Sequence, residues 1–322
     1  MLEVRHLKTV FKVGHDTVTA VDDVSFNVKS NQFVGVVGES GSGKSVTMLS
    51  IMDLLAYNGR IESGQVIWEG QDLLTLSRRE RRQYMASEDV SKMGLIFQNP
   101  MAALNPVFTV GNQMIETIQL HQKVDKDEAR SIAIELLRQV NIPDPEARIN
   151  AYSHELSLGM CQRVMVALTL AIQPRLLIAD EPTASLDVTI QAQMIDLIQS
   201  IRASHQMSIL MISHDLGLVA QHCDYIYVMY LGRIVESGTP NALFVSPKHP
   251  YTQALISSIP NPDPRIKTTP QLIQGDVPSP LNIPSGCRFH PRCPQAMPEC
   301  ARVTPTMKTV DDRWVECLLY EK

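Results

Sequence analysis

The 322-residue sequence has no apolar run near the roughly 18 residues that a membrane-crossing helix needs. Its opening, MLEVRHLKTVFKV, also lacks the long apolar segment of a secretory signal, so a cytoplasmic location is expected. There is no basic excess: 29 Lys and Arg face 34 Asp and Glu, a formal net charge of −5. Without a general positive field to attract a polyphosphate backbone, nucleic acid is not expected as a partner. The cluster Arg78, Arg79, Arg81 and Arg82 does not change this, because Ser77 and Glu80 have capping-box spacing and mark a solvated helix. There is no internal repeat, and no paired C-x2-C knuckle among the six cysteines. In a reducing compartment those cysteines do not imply disulfides.

What is present reads as an α/β chain with a large core, since 44% of the residues are hydrophobic. LEVRHLKTVF, AVDDVSFNV and QFVGVV are β-patterned, the last almost wholly apolar as a buried parallel strand should be. LLIAD (Leu176 to Asp180), SILMIS (Ser208 to Ser213) and YIYVMY (Tyr225 to Tyr230) have the same character, with helical segments between several of them. That alternation predicts a largely parallel sheet. From about Asn99 to Leu170 the pattern is helical: Asp125 and Glu128 fit a capping box, and Ala129, Ile132, Ala133, Leu136, Leu137 and Val140 form one stripe. From about Phe244 prolines crowd in, as in PKHPYTQAL, IPNPDPRIKTTP and VPSPLNIPSG. Proline has no amide hydrogen to donate, so the expected division is a domain over 1–245, with a helical insertion at about 99–170, and a loop-rich extension over 246–322.

Chemistry begins at GESGSGKS, Gly38 to Ser45, which matches G-x-x-x-x-G-K-[ST] between an apolar strand and a predicted helix, Val46 to Leu55. Amides of Gly38, Ser40, Gly41, Ser42 and Gly43 can turn inward on a phosphate, and the helix N-terminus adds its positive dipole end. Lys44 is placed to bridge the β and γ phosphates, and Ser45 to offer an oxygen to Mg²⁺. Further on, LLIADEPTASLD sets Asp180 and Glu181 at the carboxyl end of an apolar strand, where open α/β sheets bind ligands. Asp180 is expected to hold Mg²⁺ through its water shell, and Glu181 to orient and deprotonate the attacking water. Either carboxylate alone would read as a solvated strand end; the upstream phosphate loop favours the catalytic reading.

Gly38 to Ser45, Gln98 within GLIFQNP, the ELSLGMCQRV segment, DEPTASLD and His214 in ISHD together resemble, in order and spacing, the ATPase subunits of ABC transporters, over about residues 2–245. The resemblance implies a P-loop NTPase of the ABC-cassette fold, with a mostly parallel core sheet, an antiparallel β edge region, a helical subdomain and a small irregular C-terminal extension. It implies a head-to-tail dimer in which one subunit's phosphate loop faces the other's signature segment, here Ser157 and Gly159. It also implies that Gln98 contacts Mg²⁺ or the attacking water, that His214 contacts the γ-phosphate, that Asp187 links the two sites, and that Phe11 stacks on adenine. One position departs from the family's LSGGQ or LSGGM: Leu158 stands where the first glycine is expected. A side chain there costs on the order of 1 kcal/mol or more if the backbone must be strained, weakening the ATP site this segment completes. The other reading is that leucine fits without strain.

Cys287, Cys293, Cys300 and Cys317 follow the spacing C-x5-C-x6-C-x16-C, whereas Cys161 and Cys223 lie in core-like segments as small hydrophobes. Four thiolates suit zinc or an iron–sulfur cluster, and the spacing leaves the metal, or free thiols, open. KHPYTQAL (Lys248 to Leu255) with GCRFHPRCP resembles the C-terminal extension of the peptide-importer branch, the oligopeptide and dipeptide permease ATPases with their nickel and glutathione relatives. That resemblance implies a [4Fe–4S] cluster on the four cysteines, with His290 a surface residue. The whole chain then reads as the ATP-hydrolysing subunit of an importer of di- or oligopeptides or related small solutes, peripheral on the cytoplasmic face of the membrane. Its implied partners are a second ATPase subunit, a paralogue, two transmembrane permease subunits and, indirectly, an extracellular solute-binding protein. Two other readings stay open: a soluble ABC ATPase acting on ribosomes or DNA, and a catalytically weak regulatory cassette. A single cassette without a long coiled-coil insertion speaks against the first, and Glu181 with His214 against the second.

Overall fold

Apolar alternation organises the first strands. In β1 (Leu2–Val13) the residues Leu2, Val4, Leu7 and Val10 are buried, and the strand turns at Gly14 into antiparallel β2 (Asp16–Val28). All five residues of β3 (Phe33–Val37) are buried, as its continuous apolar run requires. Helix α1 (Lys44–Ile51) follows the phosphate loop. It stops short of the expected Leu55 because Asp53 adopts φ 57°, and the amides of Asp53 and Leu54 fold back on the carbonyls of Ser50 (3.3 Å) and Leu49 (2.8 Å). This is a Schellman closure with aspartate in the usual glycine place. β4 (Gly59–Trp68) and β5 (Gln71–Asp72) complete an antiparallel sheet of order β2-β1-β4-β5, the expected antiparallel region. Helix α2 (Arg78–Ala86) buries none of its residues, as the arginine pattern indicated.

The structure is a computed structural model that describes residues 1–87, 90–184, 186–259, 273 and 275–321. The chain divides into two compact units, Met1–Arg79 with Ile212–Lys322, and Glu80–Met211. In the second unit β6 (Lys92–Ile96) leads into helices α3 (Pro100–Ala103), α4 (Val110–Gln122), α5 (Lys126–Gln139), α6 (Pro145–Arg148) and α7 (Leu158–Leu170). Side-chain caps start four of them: Asn99, Thr109, Asp125 and Ser157 each accept from amides in the first turn. Asp125 does so at 3.0 and 2.9 Å, and Ala129, Ala133, Leu136, Leu137 and Val140 are buried against α4 and α7 while Ile132 is half-buried. β7 (Pro174–Asp180) runs parallel to β6, followed by α8 (Val188–His205) and β8 (Ser208–Ser213), whose six residues are all buried.

The first unit resumes with α9 (Leu216–His222), β9 (Tyr225–Tyr230), β10 (Arg233–Gly238), α10 (Pro240–Val245), α11 (Pro250–Ser257), β11 (Met307–Val310) and β12 (Arg313–Glu316). Here β3 pairs parallel with β9, and the strands continue in the order β11-β12-β10-β9-β3, so the tail adds a hairpin to β10. The KHPY turn is held by Glu236, whose fully buried carboxylate accepts from the amides of Lys248 (2.8 Å) and His249 (2.9 Å). His249 Nδ1 then accepts from the Tyr251 amide at 3.0 Å and caps α11, with Pro250 at the first helical position. The rings of Tyr230, Tyr251, His249 and Phe289 pack with centroids 4.7–5.7 Å apart. Of the proline-rich stretch IPNPDPRIKTTP, all but Ile259 lies outside the described residues.

Burial holds the His249 imidazole neutral, its pKa pulled down to about 3. An unfolded chain protonates it below about 6.5 and the folded chain does not, so the stability it contributes is whole above that pH and is lost as pH falls, by about 2 kcal/mol at pH 5. The stability advantage of the native chain over His249→Asn, measured by urea unfolding, should therefore shrink by about that amount between pH 7 and pH 5. A constant difference would show that the imidazole is not shielded from protons.

Candidate functional site

In the first unit, β3 delivers the chain to Gly38 and α1 takes it up at Lys44. Two glycines between them are required by geometry. Gly41 has φ 78°, and Gly43 has φ 99° with an added Cβ only 2.5 Å from the Ala20 carbonyl oxygen. Lys44 is 4% exposed, and its Nζ donates to the carbonyls of Gly38 (2.7 Å) and Glu39 (2.9 Å), so the ammonium lies within the curve of the loop. The Ser42 amide donates to the same Glu39 carbonyl at 3.2 Å, while the buried Ser42 hydroxyl has no partner among the described residues. Ser40 and Gly41 are exposed at the loop's tip, and Ser45 is half-buried at the start of α1.

Also in this unit, His214 is exposed in the turn after β8, a turn fixed by the Ser213 hydroxyl accepting from the Asp215 amide (2.9 Å) and by Asp215 capping α9. Phe11 is half-buried opposite Gly59 in the β1–β4 register, and a Cβ on that glycine would meet the ring at 2.6 Å. The ring therefore lies on bare backbone.

The second unit brings Gln98 and Glu181 together. Ile96 pairs with Ala179 across parallel β6 and β7, so both side chains leave the carboxyl ends of adjacent strands, and Gln98 Nε2 donates to Glu181 Oε2 at 3.4 Å. Asp180 ends β7, and Glu181 follows with φ 45°, a left-handed conformation that costs a non-glycine residue of order 1–3 kcal/mol and clusters at functional sites. Asp187 caps α8, its Oδ1 accepting from the Ile190 amide at 3.0 Å. Ser157, exposed, caps α7 with its Oγ on the Met160 amide at 3.3 Å. Leu158 is the first helical residue and neither it nor Gly159 lies in the left-handed region, so leucine brings no backbone strain and that ground for a weakened site falls away.

In the tail all four cysteines are free of disulfides; Cys287, Cys300 and Cys317 are buried and Cys293 is half-buried. The Met297 amide donates to the Cys300 sulfur at 3.4 Å. Burial pushes the Cys287, Cys293 and Cys317 thiols up, Cys287 to about 11 and Cys317 to about 12, and Cys317 also feels the other three electrostatically. Among the described residues no group of three or more His, Cys, Asp or Glu could hold a metal ion. Cys161 and Cys223 are buried core residues, as expected, and His290 is half-buried with Nδ1 2.9 Å from the Cys287 carbonyl.

Three residues escaped the sequence reading. Glu39, inside the phosphate loop, is bound by Arg292 and Tyr251 from the tail. An acid within a phosphate-binding loop signals that a cation is needed, but nothing in the sequence says which one.

A buried strand feeding a glycine loop with a lysine folded into it, and adjacent parallel strand ends presenting Gln98, Asp180 and Glu181, are the parts of a P-loop nucleoside triphosphatase. Residues 21–184 match the family model described as ABC transporter, and residues 235–300 match the oligopeptide/dipeptide transporter C-terminal region. The chain is 45% identical over 315 residues to a dipeptide transport ATP-binding protein of Escherichia coli (strain K12), covering 97% of this chain and 94% of that relative. It is 45% identical over 324 residues to an oligopeptide transport ATP-binding protein of Bacillus subtilis (strain 168), covering 100% and 97%. Among solved structures, a dimeric ATP-binding cassette in a post-hydrolysis state with ADP and Pi superposes with a TM-score of 0.65 at 25% identity, covering 74% of this chain and 99% of that one. The chain belongs to the ABC transporter family, and it is an ATPase subunit. Among the described residues no helix is long and apolar enough to cross a membrane.

Proposed function

We propose that this chain powers an importer of di- or oligopeptides or related small solutes from the cytoplasmic face of the membrane. The carrying observation is that a cassette and the oligopeptide/dipeptide C-terminal region follow one another in one chain, at 45% identity to peptide-transport subunits over nearly its whole length. Its partners on this reading are a second, paralogous ATPase subunit, two permease subunits and, indirectly, an extracellular binding protein. The cassette is residues 1–245 and the extension 246–322.

ATP is the substrate. The loop amides from Gly38 to Gly43 and Lys44 take phosphate charge, Phe11 stacks on adenine, and His214 contacts the γ-phosphate. Ser45, Asp180 and Gln98 supply oxygen donors of the kind Mg²⁺ selects, and the ion when bound neutralises the charge shared between β and γ phosphates. Glu181, positioned by Gln98, accepts a proton from the attacking water. The partner's signature segment, equivalent to Ser157 and Gly159, completes the site, and Asp187 links it to the second one.

The four tail cysteines hold a [4Fe–4S] cluster in this proposal. Each iron of such a cluster would take one thiolate, so the sulfurs need not converge on a single ion, and an amide donor such as Met297 on the Cys300 sulfur is a means by which proteins tune these clusters. Bound cluster would displace the protons that burial favours on Cys287, Cys293 and Cys317.

The test is purification with associated proteins under anaerobic conditions. Permease subunits should copurify, ATP hydrolysis should rise with peptide-loaded binding protein, and about four iron and four sulfide per chain should be found. Copurifying ribosomes or DNA would contradict the transport reading, and a colourless, iron-free complex would contradict the cluster.

A further inference from the structure

Glu39 is an acidic residue in a loop that must hold a polyanion, and an unpaired carboxylate there would repel the phosphates beside it. It is not unpaired. Arg292 grips it through both ends of its fork, Nη1 to Oε2 at 2.7 Å and Nη2 to Oε1 at 3.1 Å, with the Arg292 side chain 7% exposed. Tyr230 receives the same Nη1 on its hydroxyl at 3.3 Å and lies under the guanidinium, 5.8 Å from its ring centroid. The Tyr251 hydroxyl accepts from the Glu39 amide at 2.9 Å, and the Glu39 carbonyl accepts from Lys44 and Ser42. Every polar group of residue 39 is therefore fixed, two of them by side chains 212 and 253 positions further along the chain.

A contribution to stability does not account for this arrangement. Burying an ion pair commonly costs as much as it returns, and Arg292 Nε is buried with no acceptor among the described residues, a further penalty. The pair makes sense as geometry and charge control. When Lys44 turns from the loop carbonyls to phosphate oxygens, Glu39 loses that tether, and Arg292 and Tyr251 remain to hold it and to cancel its charge.

We infer that Arg292 and Tyr251 are positioning residues of the ATP site, through which the cysteine-bearing tail sets the shape and charge of the phosphate loop. Arg292 closes the short turn His290–Arg292 between Cys287 and Cys293, so the strut is built from the tail's own cysteine segment. The inference rests on Gly38–Ser45 being an ATP site, and the two can fail separately.

The experiment measures MgATP affinity and steady-state kinetics of the full complex carrying Arg292→Ala, Arg292→Lys, Tyr251→Phe, Glu39→Gln, and Glu39→Gln with Arg292→Ala. Arg292→Ala should weaken MgATP binding by about tenfold, appearing in KM more than in kcat, and Arg292→Lys should recover only part because it keeps charge without the fork. Tyr251→Phe, which removes one oxygen and leaves the aromatic packing, should weaken binding by about threefold. On the Glu39→Gln background, where the repelling charge is gone, Arg292→Ala should change affinity by less than about twofold. Equal losses on both backgrounds, or unchanged affinity in Arg292→Ala and Tyr251→Phe complexes, would overturn the inference. Absence of MgATP binding in the native complex would instead overturn the ATP site itself.

Discussion

Replacing Glu181 by Gln should stop ATP turnover in the assembled transporter while leaving MgATP bound. Glutamine keeps the shape and the hydrogen-bonding reach of the side chain, and it removes the group that can accept a proton from water. General-base catalysis contributes typically 10²–10⁴-fold, so hydrolysis should fall by at least about a hundredfold. Binding should stay within a few-fold, because glutamine keeps the side chain's size and the groups proposed to take phosphate charge, the loop amides and Lys44, are untouched by the substitution. The left-handed backbone at Glu181, φ 45°, and the Gln98 amide 3.4 Å from Oε2 both fix where the carboxylate stands. Gln98→Ala should accordingly reduce turnover less than Glu181→Gln does. Phosphate release and filter-bound nucleotide, measured on the same preparation, separate the two effects. Hydrolysis persisting at more than a tenth of the native rate would show that another group takes the proton.

Lys44→Ala, in contrast, should lose the nucleotide itself. The lysine is almost wholly buried, and its ammonium organises the loop through the carbonyls of Gly38 and Glu39. On the proposed reading alanine removes the cation that meets phosphate oxygens, where charge-assisted hydrogen bonds are worth roughly 1.5–3 kcal/mol each, so two lost bonds predict MgATP affinity down by about a hundredfold or more. Equilibrium binding of a fluorescent ATP analogue to the complex reads this directly. Affinity within about threefold of native would mean that phosphates are held elsewhere.

Local signals in this chain were legible and distant ones were not. The phosphate loop, its buried feeder strand and the acidic strand end of β7 each occupy one short run, and each run has the spacing its chemistry needs. Asp125 announced its helix because a cap and the stripe it starts lie within a few residues. The end of α1 was missed because Asp53 takes a glycine-like conformation that side-chain identity does not advertise. Leu158 posed a question that only a backbone angle could answer, since a leucine opening a helix and a leucine forced into a left-handed turn read the same in sequence. The clamp on Glu39 was invisible for a different reason: its arginine lies 253 residues away, and pairing across that distance is decided by how Phe289 and Tyr251 of the tail pack on Tyr230 of β9. The role of Glu236 in holding the KHPY turn was hidden likewise, because a buried carboxylate in a strand acquires meaning only from the amides that reach it.

The most direct test of an ATP site at Gly38–Ser45 served by Glu181 is to follow γ-labelled ATP through the purified complex, counting bound nucleotide and released phosphate together. Saturable MgATP binding that converts to ADP and phosphate is the predicted result. A folded complex, with all its subunits present, that retains no MgATP would contradict it.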